Sequence, residues 1–115
     1  MKWKAIIGIM VALSVISCHR QETHVPEVLL SESQMIDIIT DVQIIEADIN
    51  SRKAKGENIG SDPVDFYNQL FEHYGITDSI FSENMKYYTH DQAVLENIMD
   101  SVTNRLLKAQ QDSKK

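Results

Sequence analysis

The sequence is poor in the residues that make tight turns, disulfides and phosphate-binding loops. Its 115 residues include only four glycines and two prolines, which argues against long β-meanders and against a glycine-rich loop for phosphate. Its single cysteine cannot form a disulfide within the chain. Basic residues are in the minority, with 11 lysines and arginines against 17 acidic residues and a formal net charge of −6. Nucleic acid and anionic lipid are therefore poor electrostatic partners for this protein.

The first 17 residues have the parts of a secretory signal peptide. Lys2 and Lys4 provide positive charge, and an apolar stretch follows over residues 5–16. A membrane-spanning helix needs roughly 20 apolar residues, so this stretch is too short to cross a bilayer comfortably. We predict that residues 1–17 are a leader.

The only cysteine, Cys18, directly follows this leader. The stretch SVISC resembles the lipobox of bacterial lipoproteins, which implies that a diacylglycerol is attached to the Cys18 thiol and that a peptidase cuts before it. Two or three acyl chains hold a protein stably on a bilayer, whereas one does not. An ordinary cleaved signal with an incidental cysteine is the alternative. Lipidation of Cys18 predicts attachment to the membrane.

The residues that follow the cysteine are polar, include Pro26 and have no helical periodicity. We predict that residues 18–30 are a flexible tether between the lipid and a domain. By analogy with enteric lipoproteins, in which an aspartate after the cysteine favours the inner membrane, His19 favours the outer membrane. No acidic cluster follows Cys18 to indicate surface display. The expected location is the outer membrane of the cell envelope, facing the periplasm.

Capping signals predict a helical domain over residues 31–112. Ser31 and Gln34 match a capping box, and the helix they begin should end near Ala54. Asp62 is a suitable N-cap before Pro63 for a second helix. The apolar faces of these two helices consist of Met35, Ile38, Ile39, Val42, Ile45 and Ile49 in the first, and Phe66, Tyr67, Leu70, Phe71 and Tyr74 in the second.

Two further helices follow at once. Gly75 is suited to end the second helix, Thr77 to cap the third and Asp91 to cap the fourth, while the tail from residue 110 is expected to fray. The inward faces consist of Ile80, Phe81, Met85 and Tyr88 in the third helix, and Leu95, Ile98, Met99, Val102 and Leu106 in the fourth. No segment alternates with period two for long, so the predicted fold class is all-α, a small bundle of about four amphipathic helices.

The segment from Tyr67 to Leu106 resembles the DUF4296 family, small lipoproteins of Bacteroidetes-type bacteria. The matching elements are the turn HYGIT at residues 73–77, a phenylalanine after it and the pair Tyr87-Tyr88. The stretch MIDIITDVQIIEAD resembles the family's first helix, although Gln43 stands where histidine is frequent. The resemblance covers roughly residues 29–108 and implies a helical lipoprotein. It implies no activity.

Candidate sites for chemistry are few. Asp37, Asp41 and Asp48 lie on one side of the first helix, and paired carboxylates can serve acid–base catalysis or hold a cation. Because Arg52 and Lys55 continue this stripe, we interpret it as a solvated face. No Ser-His-Asp order is evident among four scattered histidines, so we predict no enzyme, no metal and no cofactor.

Aromatic residues provide the candidate binding surface. His73, in the last turn of the second helix, suits the negative end of the helix dipole. Together with Tyr74, Tyr87 and Tyr88, it is the predicted partner or ligand surface, although aromatic residues at helical spacing in a small domain also serve as core. We predict a lipid-anchored, non-enzymatic envelope protein that docks on another protein. The alternative is a binding module for a small apolar ligand or lipid.

Overall fold

The computed structural model describes residues 23–115, which form four α-helices and no strand. The all-α fold class predicted from the sequence is confirmed. The predicted leader and Cys18 lie outside the described residues. The four helices are α1 (Glu32–Ala54), α2 (Asp62–His73), α3 (Asp78–Thr89) and α4 (Gln92–Ser113).

Local capping residues start three of the helices where the sequence predicted. Ser31 accepts a hydrogen bond from the Gln34 N–H at 3.1 Å, and its own N–H donates to the Gln34 side chain at 2.8 Å. This reciprocal pair is a capping box. The Thr77 hydroxyl and the Asp91 carboxylate each accept from the backbone N–H three residues further on. These caps satisfy N–H groups that the first helical turn leaves without a partner.

The start of α2 differs from the prediction by one residue. Ser61 occupies the N-cap position without a side-chain capping bond, and Asp62 is already helical. The Asp62 carboxylate instead accepts a hydrogen bond from Arg52 of α1 at 3.0 Å. The Asp62 side chain, predicted to cap α2, therefore forms an ion pair with α1 instead.

The end of α2 is a Schellman motif built on Gly75. This glycine has a φ of 67°, in the left-handed region that side chains with a Cβ rarely adopt. Its N–H donates to the Glu72 carbonyl at 3.0 Å, and the Ile76 N–H donates to the Phe71 carbonyl at 2.9 Å. This bond pattern ends the helix sharply and allows α3 to begin almost at once.

Helix α1 lies at the centre of the fold, in contact with both α2 and α4, while α3 packs against α4. Three successive residues, 38–40, are buried because α1 has neighbours on two sides. Helix α4 runs alongside α1 in the same direction, since their first turns share one depression and their C-terminal halves share another. The core cluster consists of Leu30, Met35, Ile38, Ile39, Phe71, Tyr88, Ile98 and Val102.

Helical or packed structure extends beyond the sequence prediction at both ends of the described chain. Helix α4 continues to Ser113, whereas the sequence predicted fraying from residue 110. At the other end, Pro26 and Leu30 are buried, so the last residues of the predicted tether pack against the bundle. We call residues 23–30 the entry segment. From residue 26 onwards, this segment is part of the folded domain.

Candidate functional site

The four aromatic residues predicted as a binding surface form two separate pairs. The rings of His73 and Tyr74 meet edge-on with centroids 5.1 Å apart, and so do those of Tyr87 and Tyr88. One pair precedes α3 and the other lies at its end. Residues 78–86 of α3 lie between the pairs and span about 14 Å, from the helical rise of 1.5 Å per residue. The structure does not bring these four residues together.

One member of each pair bonds to a distant part of the chain. The Tyr88 hydroxyl donates to the Leu30 carbonyl at 2.5 Å, and the Tyr74 hydroxyl donates to the Asp41 carboxylate at 2.5 Å. Tyr88 is buried, and burial raises the pKa of its phenol, with the negative charge of Glu32 acting in the same direction. His73 is exposed and Tyr74 and Tyr87 are half-buried, so of the four only Tyr88 offers almost no surface to a partner.

A polar cluster joins α1, the end of α2 and α4. Besides the bond from Tyr74 to Asp41, Arg105 of α4 forms an ion pair with Asp37. The sequence had placed Asp37 and Asp41 on a solvated face, yet both are half-buried and bonded, and only Asp48 is exposed. Desolvation of the Tyr74 phenol, reinforced by its bond to Asp41, raises its pKa far above the usual tyrosine range. This cluster holds helices together across the fold.

The raised pKa of Tyr74 predicts a loss of stability in alkaline solution. Folding favours the neutral phenol, so its stabilising effect is complete below about pH 10 and is lost as pH rises through the higher folded pKa. We expect Tyr74→Phe to cost about 1–2 kcal/mol of unfolding free energy at neutral pH. Urea unfolding followed by circular dichroism should show this difference narrowing above about pH 10. Tyr87→Phe is the matched control, and parallel pH curves for Tyr74→Phe and the wild type would contradict the assignment.

Asn84 is the structural residue that sequence reasoning missed. Its side chain is 0% exposed, and its Oδ1 accepts from the Leu30 N–H at 2.8 Å. Its Nδ2 donates to the carbonyls of Val28 and Ile80, each at 2.8 Å. One amide side chain therefore fastens the main chain of the entry segment to α3. The available signal was its position four residues from both Ile80 and Tyr88, on the inward face of α3.

An apolar groove lies between the C-terminal halves of α1 and α4. We call it the α1–α4 groove, and its volume is about 620 Å³. Ile44 and Leu107, on its two walls, are 48% and 52% exposed. None of its nine lining residues is charged, although 24% of the chain is. The lining consists of Gln43, Ile44, Ala47, Thr103, Leu106, Leu107, Ala109, Gln110 and Ser113.

Among residues 23–115, no three His, Cys, Asp or Glu side chains are grouped so that they could hold a metal ion. In the same range, no helix combines the length and apolar composition needed to cross a membrane.

The fold defines a small all-α domain with an N-terminal segment fastened to its third helix. A family model described as a domain of unknown function, DUF4296, matches residues 26–112 of the chain. The protein belongs to the DUF4296 family. The match begins at Pro26, the first buried residue of the entry segment, so the family domain includes this segment. Searches of curated proteins and of solved structures found no match.

Proposed function

We propose that this protein is a lipid-anchored envelope protein whose helical domain docks on another protein without catalysing a reaction. The lipobox-like stretch SVISC at Cys18 supports the anchor. The candidate side chains Asp41 and Tyr74 bond to each other, which favours a structural role for them over catalysis. The proposed location is the outer membrane, with the domain facing the periplasm.

The observation that carries the docking role is the α1–α4 groove. Single exposed apolar side chains are normal on a protein surface. Here, however, Ile44 and Leu107 belong to one continuous uncharged depression. Depletion of charge at the centre of a contact patch is typical of protein–protein interfaces. The groove therefore suits an apolar segment of a partner protein.

A small apolar ligand or lipid is the alternative occupant. The groove volume falls within the roughly 300–1,000 Å³ that ligand pockets occupy. Such pockets bury most of their ligand, whereas Ile44 and Leu107 each keep about half of their surface in solvent. An open groove of this kind favours a protein segment, because the rest of the partner protein can shield the exposed groove walls from solvent.

Photocrosslinking from the groove tests the docking role. With a photoreactive amino acid in place of Leu107, cells should yield one adduct of defined mass between this protein and an envelope protein. Adding Ile44→Gln should weaken its formation roughly tenfold, because central apolar contacts are worth more than about 1 kcal/mol. Both side chains are about half exposed and lie outside the core cluster, so the unfolding free energy should stay within about 0.5 kcal/mol of wild type.

The control places the same photoreactive residue at Val64, an exposed apolar position on α2 outside the groove. Equal adducts from positions 64 and 107 would show that the groove has no special role. Lipid recovered by solvent extraction from the purified protein, and lost in Ile44→Gln, would instead support the ligand alternative.

A further inference from the structure

The entry segment leaves the bundle at one defined end. Asn84 and Tyr88 fix the main chain of residues 28–30, and Pro26 is buried just before them. Thr23 and Leu29 line a depression of about 670 Å³ together with Tyr87 and residues 90–94. We call this end the turn end, since it comprises the α3–α4 turn and the first turns of α1 and α4.

The distance from Cys18 to this end is short. Thr23 is the fifth residue after Cys18. Even a fully extended chain covers at most about 3.6 Å per residue, so the two residues lie within about 18 Å of each other. Helix α1, with 23 residues, is about 35 Å long. A lipid on Cys18 therefore cannot hold the bundle upside down, with the turn end away from the membrane.

The surface of the turn end has the chemistry of a bilayer contact. Leu29 lines the depression at this end and is exposed, and Val25 and Val28, its near neighbours in the chain, are exposed as well. Tyr87 is half-buried beside them, and tyrosine is enriched where protein meets the headgroup layer. Two acidic side chains at this end, Glu32 and Asp91, disfavour strongly anionic lipid. A zwitterionic phospholipid surface fits this combination best.

We propose that the turn end rests against the headgroup layer of the bilayer, with Val25, Val28 and Leu29 entering the interface. Helices α1 and α4 then extend away from the membrane, and the α1–α4 groove is held outward where a partner can reach it. The attachment to the membrane comes from the lipid on Cys18, and this part of the inference rests on the proposed function. The orientation of the bundle comes from the entry segment, which is bonded to α3.

Tryptophan fluorescence tests this orientation. The chain's one tryptophan, Trp3, lies in the predicted leader and is replaced by Trp3→Phe in every variant. Single probes are then introduced as Leu29→Trp at the turn end, Leu107→Trp in the groove and Val64→Trp on α2. Each full-length gene is expressed, and the product is purified from the envelope and reconstituted in phosphatidylcholine vesicles with or without bromine near the glycerol end of the acyl chains.

We expect Leu29→Trp emission to shift to the blue and to lose intensity with brominated lipid. Emission from Leu107→Trp and Val64→Trp should not respond to bromine. Quenching at position 107 or 64 equal to that at position 29 would mean that the bundle lies on its side, and would overturn the proposal. Absence of quenching at position 29 would do the same. Circular dichroism melts confirm that each variant is folded.

The attachment is measured separately from the orientation. The mass of each purified product shows whether the leader is cleaved and whether Cys18 carries lipid. A product without lipid would contradict the proposed function. It would then be attached to the same vesicles through its Cys18 thiol and a maleimide lipid, so that the quenching pattern is still obtained.

Discussion

Asn84→Ala should lower the free energy of unfolding by about 2–4 kcal/mol, a large part of the stability of a small domain. The side chain is fully buried and bonds to the Leu30 N–H and the Val28 carbonyl. Alanine leaves the buried Leu30 N–H without a partner, and such a group costs about 1–3 kcal/mol. Lost packing around the amide adds to this. Urea unfolding followed by circular dichroism gives the measurement.

Two further variants show whether the loss of stability in Asn84→Ala comes from the lost bonds between α3 and the entry segment. Asn104→Ala makes the same change at an exposed position on α4 and should stay within about 0.5 kcal/mol of wild type. Tyr88→Phe removes only the hydroxyl that donates to the Leu30 carbonyl and should cost about 1 kcal/mol. If Asn84→Ala behaved like Asn104→Ala, the entry segment would contribute nothing to the fold.

Cys18→Ser should abolish membrane attachment. Under the proposed lipidation, a serine hydroxyl cannot replace the thiol as acceptor of the diacylglycerol, and the leader peptidase would act only on the lipidated form. The variant should therefore lose palmitate labelling and accumulate as the uncleaved precursor. Labelling of cells with palmitate, followed by gel mobility and membrane fractionation, measures both effects.

The adjacent substitution His19→Ser is the matched control, because it leaves the thiol in place and should retain labelling and cleavage. The helical domain should not respond to either change, since Cys18 lies several positions before Pro26, the first buried residue of the described range 23–115. A soluble chain of residues 23–115 should show high helix content and a cooperative melt. Normal processing and membrane retention of Cys18→Ser would refute the anchor.

The sequence alone determined the fold class and most helix ends, because the signals for these are local. A capping side chain such as Thr77 bonds to an N–H three residues away, and Gly75 adopts its left-handed conformation within a single turn. The apolar faces are equally local, since the helical period places their members on one side. Residues within a few positions of each other carry all of this information.

Some of the details that the sequence got wrong depend on contacts between different helices. Asp62 lost its predicted capping role to Arg52, which belongs to another helix. Asp37 and Asp41 are bonded and half-buried, unlike the predicted solvated face, because Arg105 and Tyr74 reach them from elsewhere in the fold. An acidic residue at a helix surface has the same local pattern whether it meets water or a distant partner.

The site depended on tertiary structure even more. The partners of Asn84 lie 54 and 56 residues before it, so no local pattern relates its amide to the main chain of the entry segment. The α1–α4 groove likewise exists only because α4 lies alongside α1 and leaves Ile44 and Leu107 uncovered. A helical period shows which residues share a face, but only the packed fold decides which faces are covered, because burial depends on contacts between residues distant in sequence.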